Sequence, residues 1–189
     1  MMNYFNMVDS LDLVPDRWYL GEPLDATGGL VDARQYTYAR QMEMTEPLEL
    51  EVYNPGFPLD ITFAAFEMPV VRRRVAELIE NLAPHDVQRI PARITGRVGD
   101  DEYDILNVVR EEACVDEARS QVIKWKASDG RPDKLGEYRM VADLHIISEA
   151  VKGSHIFRIR GYHPLLICSG TIKAALESIH VTGVCFIEV

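Results

Sequence analysis

The feature that most constrains the fold is a strand–helix–strand pattern that occurs twice in the chain. In the first copy, apolar residues recur at helical spacing from Pro69 to Leu82, between the strand-like stretches DITFAAF and DVQRIPARI. In the second copy, Ser169–His180 carries an apolar stripe between PLLIC and GVCFIEV, and Ser169 can cap the helix. Because a helix between two strands of one sheet usually joins parallel strands, the sequence predicts two βαβ units.

The residues around these units complete the predicted architecture. Residues 98–147 alternate short strands with turns, which indicates an antiparallel meander that includes the densely apolar stretch YDILNVV. The predicted fold class is α+β: a mixed β-sheet with two short helices in strand–helix–strand units and an antiparallel meander between them. Residues 1–189 are expected to form a single domain, with an irregular N-terminal part with short strands at 1–57 and an α+β core at 58–189. The Gly- and Pro-containing segment 21–58 is either a binding loop or an insertion.

The charge and hydropathy of the chain indicate which classes of molecule it can bind. The 189 residues include 30 acids and 20 bases, a formal net charge of −10, and 47% of them are hydrophobic. Such a chain can bury a sizeable core, repels nucleic acid and anionic membranes, and favours cationic partners. It has no apolar run of the roughly 18–20 residues that a membrane span requires, and its first residues do not resemble a secretory signal. We therefore expect a cytoplasmic protein that binds neither nucleic acid nor membrane.

No residue pattern indicates catalysis, a metal site or a cofactor. The histidines show neither HxH nor HxxxH spacing, and no glycine-rich phosphate-binding turn precedes either helix. Ser169, in CSGT, lacks the GxSxG context of a nucleophile, and helix capping explains it. Cys114, Cys168 and Cys185 form no CxxC pair, so we interpret them as buried free thiols. The sequence therefore predicts a protein that is not an enzyme and needs no cofactor.

An acid-rich stretch is the strongest candidate for a binding surface. Its sequence, VGDDEYDILNVVREEACVDEA, lacks the glycine and following glutamate of a calcium loop. Alternating acids on a hairpin also lack the apolar pocket that acid–base catalysis requires. Two interpretations stay open: a solvated hairpin without a partner, and a surface that binds a basic partner. The acids concerned are Asp100, Asp101, Glu102, Asp104, Glu111, Glu112, Asp116 and Glu117.

Aromatic residues outside the predicted helices are candidates for binding hot spots wherever they are exposed. They are Trp18, Tyr36, Tyr38 and Trp125. A core position is expected for Trp125, because it lies in the alternating stretch VIKWK.

Several blocks of the sequence resemble one known family. The most specific are DILNVVREEACVDEARS, HIFRIRG and the C-terminal strand–helix–strand that ends in GVCFIEV. Together with the blocks between them, they cover the chain from Pro58 to Val189. This region is similar to a family of bacterial immunity proteins from polymorphic toxin systems, the eleventh numbered immunity family, formerly a domain of unknown function. The shared blocks are packing motifs, and the family offers no catalytic residue to transfer.

The resemblance implies a function that agrees with the acidic charge. Members of this family are inferred to neutralise a toxin, often a nuclease, made by the same or a neighbouring cell. We therefore expect a cytoplasmic immunity protein that binds a basic cognate toxin and occludes it stoichiometrically; no oligomeric state is predicted. The alternative is a small-ligand-binding or enzymatic protein with residues 21–58 as a lid. A deep polar pocket under that segment would favour the alternative, and a continuous acidic face would favour the immunity protein.

Overall fold

The structure, a computed structural model, describes residues 2–10, 14–43, 46–97 and 99–189. Two residues of the predicted irregular segment, 44 and 45, and Val98 at the start of the predicted meander lie outside these ranges. The strands and α-helices of the described chain are, in order, β1 (Tyr4–Asp9), β2 (Tyr19–Leu20), β3 (Leu48–Asn54), β4 (Ile61–Ala64), β5 (Met68–Arg72), α1 (Arg73–Leu82), β6 (Val87–Thr95), β7 (Tyr103–Val108), β8 (Glu111–Glu112), β9 (Gln121–Lys124), β10 (Tyr138–Ala142), β11 (Ile156–Ile159), β12 (Tyr162–Ser169), α2 (Gly170–Ser178) and β13 (Val184–Glu188).

The described strands form two large mixed sheets and one hairpin. The six-stranded sheet has the order β2-β3-β6-β7-β5-β4, in which only β3 and β6 pair in parallel. The five-stranded sheet has the order β13-β1-β12-β11-β8, in which only β8 and β11 pair in parallel. The hairpin consists of β9 and β10. The predicted α+β class with a mixed sheet is confirmed. Within residues 99–147, antiparallel pairing joins β9 to β10, while β7 and β8 belong to the two larger sheets.

Both helices connect parallel strands, but each pair of strands is separated by a third. Strands β5 and β6, which flank α1, both run antiparallel to β7, so they are parallel to each other with β7 between them. Strands β12 and β13, which flank α2, both run antiparallel to β1 and enclose it in the same way. The two predicted βαβ units are therefore split units, each completed by an inserted antiparallel strand.

The first helix begins later than predicted. The helical spacing suggested a start at Pro69, but α1 begins at Arg73 and the preceding residues form β5. Val70 and Val71 are fully buried in a strand that lies between β4 and β7, and β-branched side chains suit that position. The second helix agrees with its prediction, since the Ser169 hydroxyl accepts a hydrogen bond from the backbone N–H of Ile172 at 3.4 Å. No helix of the described chain is long and apolar enough to cross a bilayer.

Side chains from both helices and both large sheets meet in a central core. Alternation along β7 shows how the sheets separate the cores, because Leu106 faces the central core while Ile105 faces a second one. That second core forms where Trp18, Ala33 and Tyr36 of the N-terminal part pack on the six-stranded sheet. A third core lies on the five-stranded sheet and is covered by the segment around Cys114 to Ile146. Both sheets are therefore covered on two faces, and most polar side chains within them need partners.

The two large sheets are joined where the residues before β4 meet those before β13. The carboxylate of Asp60 accepts hydrogen bonds from the backbone N–H of Thr182 at 2.9 Å and from its hydroxyl at 3.0 Å. The N–H of Ile61 donates to the carbonyl of Thr182 at 3.0 Å. At the next residue, Gly183 approaches so closely that an added Cβ would lie 1.9 Å from the carbonyl oxygen of Ile61. This contact fixes how the six-stranded and five-stranded sheets meet.

Candidate functional site

The first three acids of the predicted surface lie in the loop between β6 and β7 and are exposed. Asp101 is 3.2 Å from Nη1 of Arg72, and Glu102 is 2.6 Å from Nη1 of Arg73. Asp100 has no ion-pair partner in the described part of the chain. Arg72 and Arg73, where β5 passes into α1, thus neutralise part of this loop.

Asp104 does not belong to the surface, contrary to the prediction. Only 1% of this residue is exposed, because it lies on a strand that is covered on both faces. Its carboxylate is 2.8 Å from Nε of Arg89 and 3.6 Å from Nε of Arg73. The ion pairs offset the unfavourable desolvation of the carboxylate, so its role is internal.

Glu112 is also wrongly predicted to be on the surface, while its neighbour lies at the boundary. Glu112 is 6% exposed and accepts a 2.6 Å hydrogen bond from the hydroxyl of Ser154. Glu111 is half-buried, 2.9 Å from Nε of Arg160 and 3.1 Å from Nε2 of His163. Burial alone would raise the pKa of Glu111, but the hydrogen bonds from His163 and Arg160 outweigh it and lower the pKa.

The last two acids stabilise local structure near the hairpin. The carboxylate of Asp116 accepts hydrogen bonds from the backbone N–H of Ala118 at 3.1 Å and thereby forms a turn. Glu117 is exposed and accepts from Nζ of Lys124 at 2.7 Å and from the hydroxyl of Tyr138 at 2.6 Å, and these bonds lower its pKa. The eight acids are therefore divided among two buried positions, a loop, a boundary position and the hairpin region, and they do not form one continuous face.

A cleft of about 480 Å³, which the sequence did not predict, lies where four segments of the chain converge. These segments are the 3₁₀ helix Ala33–Thr37 with the residue after it, the turn between β4 and β5, the β9–β10 hairpin, and the turn between β11 and β12. We call it the aromatic cleft, because ring-bearing side chains line it: Tyr38, Phe66, Trp125, Tyr138, Tyr162 and His163. Phe66 is 55% exposed, and an exposed aromatic side chain in a concave site favours binding.

Cations lie over four of these rings, including Arg40 over Tyr38 at 5.7 Å and Lys124 over Tyr138 at 5.2 Å. The guanidinium of Arg34 is 5.1 Å from the ring centre of Phe66. The guanidinium of Arg139 is 5.1 Å, and Nζ of Lys134 is 5.9 Å, from the ring centre of Trp125. Each contact lies within the distance at which a cation is attracted to an aromatic face. The aromatic cleft therefore combines ring-bearing walls with the cations of Arg34, Lys134 and Arg139, and Glu67 and Glu137 also line it.

A buried arginine holds the floor of the aromatic cleft. Arg158 is fully buried and donates from Nη1 to the carbonyl of His163 at 2.8 Å and from Nη2 to the carbonyl of Glu67 at 3.1 Å. Burial lowers its pKa to about 10, although the charge of Glu67 opposes this. Phe66 and Glu67 both adopt left-handed conformations, with φ of 57° and 60°. Backbone strain of this kind is found at binding sites, where the surrounding structure enforces it.

The predicted hot-spot aromatics divide between core and cleft. Trp18 and Tyr36 are buried, and Nε1 of Trp18 donates to the hydroxyl of Thr62 at 2.8 Å, so neither is a surface hot spot. Tyr38 is exposed and Trp125, expected in the core, is half-buried, and both line the aromatic cleft. The segment 21–58, as far as it is described, packs on the second core and supplies one wall of the aromatic cleft. Its Gln41 also lines a more polar pocket beside Arg89 and Asp104.

Comparison with known families shows where the chain belongs. Residues 9–189 match the immunity protein family Imm11. The chain is a member of the Imm11 family. The match starts well before Pro58, where the recognisable motifs begin, so the Imm11 region includes the segment that covers the six-stranded sheet and supplies one wall of the aromatic cleft. No curated protein matches the sequence.

This Imm11 chain also contains a serine–histidine pair, whose geometry is structural. Oγ of Ser169 is fully buried, 3.0 Å from Nδ1 of His155, and it caps α2. The nearby carboxylate of Asp86 accepts from the backbone N–H of His155 at 2.7 Å and not from its ring, so the relay of a catalytic triad is not formed. The neighbouring thiol of Cys168 is buried, which raises its pKa to about 12. Capping and packing account for these residues.

The burial of the other two cysteines and the grouping of the acidic side chains as possible metal ligands bear on the chemistry of this Imm11 chain. Cys114 is buried, whereas Cys185, which was predicted to be buried, is half-buried. Among the residues that the structure describes, no group of three or more His, Cys, Asp or Glu side chains is arranged to hold a metal ion.

One feature of the sequence could have indicated the aromatic cleft. Arg158 interrupts the apolar strand HIFRIRG, and a cation in a strand that is buried on both faces requires fixed carbonyl partners.

Proposed function

We propose that this protein is the cytoplasmic inhibitor of a cognate bacterial toxin and acts by forming a stoichiometric complex that occludes the toxin. The observation that carries the proposal is membership of the Imm11 immunity family over residues 9–189. A net charge of −10 supports a basic toxin as the partner, and a nuclease is one such class, because its substrate-binding face is positive. We also propose that residues 1–189 act as one domain, since the central core draws side chains from both large sheets.

The exposed acids of the predicted surface contribute to this proposal as long-range charges. Asp100, Asp101 and Glu102 lie together on one loop, and charges on a rim affect the rate of association more than the stability of a complex. Asp104 and Glu112 are omitted from the proposed contact, because their carboxylates are engaged inside the fold. Glu111, Asp116 and Glu117 remain candidates for contact only where their outer atoms are accessible.

The first experiment is a rescue assay in a bacterial host that expresses the product of the neighbouring toxin gene. Co-expression of the tagged protein should restore growth, and the toxin should co-purify with it in a one-to-one complex. With purified components, a stoichiometric inhibitor abolishes toxin activity only as its concentration approaches that of the toxin. Complete inhibition at a small fraction of that concentration would indicate an enzyme and would overturn the proposed mechanism. Absence of both binding and rescue would overturn the proposed function for that toxin.

A further inference from the structure

The walls of the aromatic cleft are built to receive an apolar side chain. Phe66 and Tyr38 are exposed and face the cleft from two different segments, and Trp125 lines it from the hairpin. Aromatic side chains are the residues that most often dominate binding energy, because they bury large areas and lose little conformational freedom. Their convergence in a concave site provides an anchor position that a flat acidic loop does not.

The charged side chains of the aromatic cleft indicate which chemical group of the partner binds next to its apolar side chain. Arg34 is 2.9 Å from Asp32, whereas the nearest carboxylate to Arg139, that of Asp129, is 3.7 Å away. Lys134 has no carboxylate within ion-pair distance among the residues that the structure describes. Positive charge beside Trp125 is therefore only partly neutralised, and a carboxylate would complete the arrangement.

The floor of the aromatic cleft is organised before any partner arrives. Arg158 ties the carbonyl of Glu67 to those of His163 and Pro164, at 3.1, 2.8 and 3.3 Å. These bonds hold the turn that presents Phe66 in its left-handed conformation. A site that is already ordered loses less conformational entropy on binding, so more of the contact energy contributes to affinity.

From these observations we infer that the aromatic cleft is where the toxin docks, by inserting a segment that carries an aromatic or long apolar side chain next to a carboxylate. The inference rests on the proposed function and specifies its contact surface. The apolar side chain packs between Phe66, Tyr38 and Trp125, and the carboxylate pairs with Lys134 and Arg139. The net negative charge of the protein attracts the toxin as a whole, while Lys134, which has no ion-pair partner in the described part of the chain, selects one acidic segment of it.

The test compares cleft variants with matched variants elsewhere, using the toxin encoded beside this gene. Trp125→Ala and Lys134→Glu are paired with Tyr53→Ala and Lys152→Glu, since Tyr53 and Lys152 are exposed and do not line the cleft. We expect the cleft variants to raise the dissociation constant by about 30-fold or more, as hot-spot residues do, and the controls to stay within about 3-fold. Circular dichroism and thermal midpoints verify that all four variants are folded.

A second measurement identifies the inserted segment without relying on loss of binding. A photo-crosslinking amino acid at Tyr38 should couple to the toxin, and the same probe at Tyr53 should not. The cross-linked toxin peptide should contain a carboxylate beside an apolar side chain, and a peptide without any acid would overturn the assigned chemistry. If the wild-type complex forms but the cleft variants and the Tyr38 probe have no effect, the cleft inference is wrong and the proposed function stands. If the wild type neither binds nor rescues, both are wrong.

Discussion

Arg158 is fully buried, and in the part of the chain that the structure describes no carboxylate lies within ion-pair distance of it, although the charge of Glu67 acts on it from farther away. Its charge is balanced by carbonyl oxygens from two turns that are far apart in the sequence. Removing such a residue leaves several carbonyls without donors, which is more damaging than the loss of an exposed ion pair. The residue therefore has a structural role that its charge alone would not suggest.

Arg158→Met should lower the free energy of unfolding by about 3 kcal/mol, because the methionine fills the space but donates no hydrogen bond. The matched control is Arg160→Met on the same strand segment, where the guanidinium is exposed and 2.9 Å from Glu111. That change should alter stability by no more than about 1 kcal/mol. Urea denaturation of both variants makes the comparison. Equal losses would show that the carbonyl contacts of Arg158 contribute little.

Gly183 combines a left-handed conformation with a contact that leaves no room for a side chain. Gly183→Ala should destabilise the protein far more than Gly153→Ala, since both glycines have positive φ, at 95° and 85°, but only Gly183 has backbone atoms in the way. The change at Gly153 isolates the conformational effect, expected to be about 1–2 kcal/mol. Thermal and urea midpoints of the two variants decide the matter. Similar midpoints would mean that the two sheets can separate slightly at Ile61.

At the scale of elements, the hydrophobic periodicity of the sequence predicted most of the secondary structure that depends on local pattern. The helix at Gly170–Ser178, the buried strand at Tyr103–Val108 and the parallel relation of the strands flanking each helix all follow from local patterns. The strand Met68–Arg72 was misread as helix, because a short apolar run fits both periods and its neighbours in the sheet decide the outcome. The insertion of β7 and β1 between parallel strands depends on long-range pairing, which no local pattern encodes.

The candidate site was less predictable than the fold, because it too depends on contacts between residues that are far apart in the sequence. Asp104 belongs both to an acid-rich stretch and to a densely apolar one, and only the tertiary structure shows that Arg89 meets it inside the protein. The aromatic cleft draws Tyr38, Phe66, Trp125 and His163 from four separate segments. None of these residues is exceptional in its own segment, so their convergence could not be foreseen.

The stability of the protein should depend on pH through Glu111, which lies in the short strand β8 that pairs in parallel with β11. Its folded-state pKa is lowered below the unfolded value of about 4.3, so its contribution is complete above that pH and is lost as the pH falls through the folded pKa. The stability difference between wild type and Glu111→Gln should therefore be present at about pH 5, where Glu111 is ionised, and should vanish as the pH falls through the folded pKa of Glu111. Urea titrations between neutral and acidic pH measure it. A stability difference that persists unchanged at low pH would exclude the ion pairs of Glu111 as its cause. The control is Glu149→Gln, at an exposed position without a described ion pair.

At the scale of the whole molecule, the net charge of −10 should govern how fast the complex forms. We expect the association rate with a basic toxin to fall at least about 10-fold with added salt, as the screening length drops from about 10 Å at 0.1 M to about 3 Å at 1 M. Asp100→Asn with Asp101→Asn should slow association, whereas Lys134→Glu should speed dissociation. Stopped-flow or surface-based kinetics separate the two rates. Association that is insensitive to salt would argue against electrostatic steering.

The position of β1 has a consequence for how the protein is made. This strand precedes its two neighbours, β12 and β13, by most of the intervening sequence, so it is synthesised well before either of them. The backbone N–H of Val189 also donates to the carbonyl of Tyr4 at 3.2 Å, so segments far apart in the sequence meet in one sheet. During translation β1 therefore stays unpaired until β12 and β13 have been synthesised. Only a chain that has been synthesised through β13 can complete the five-stranded sheet.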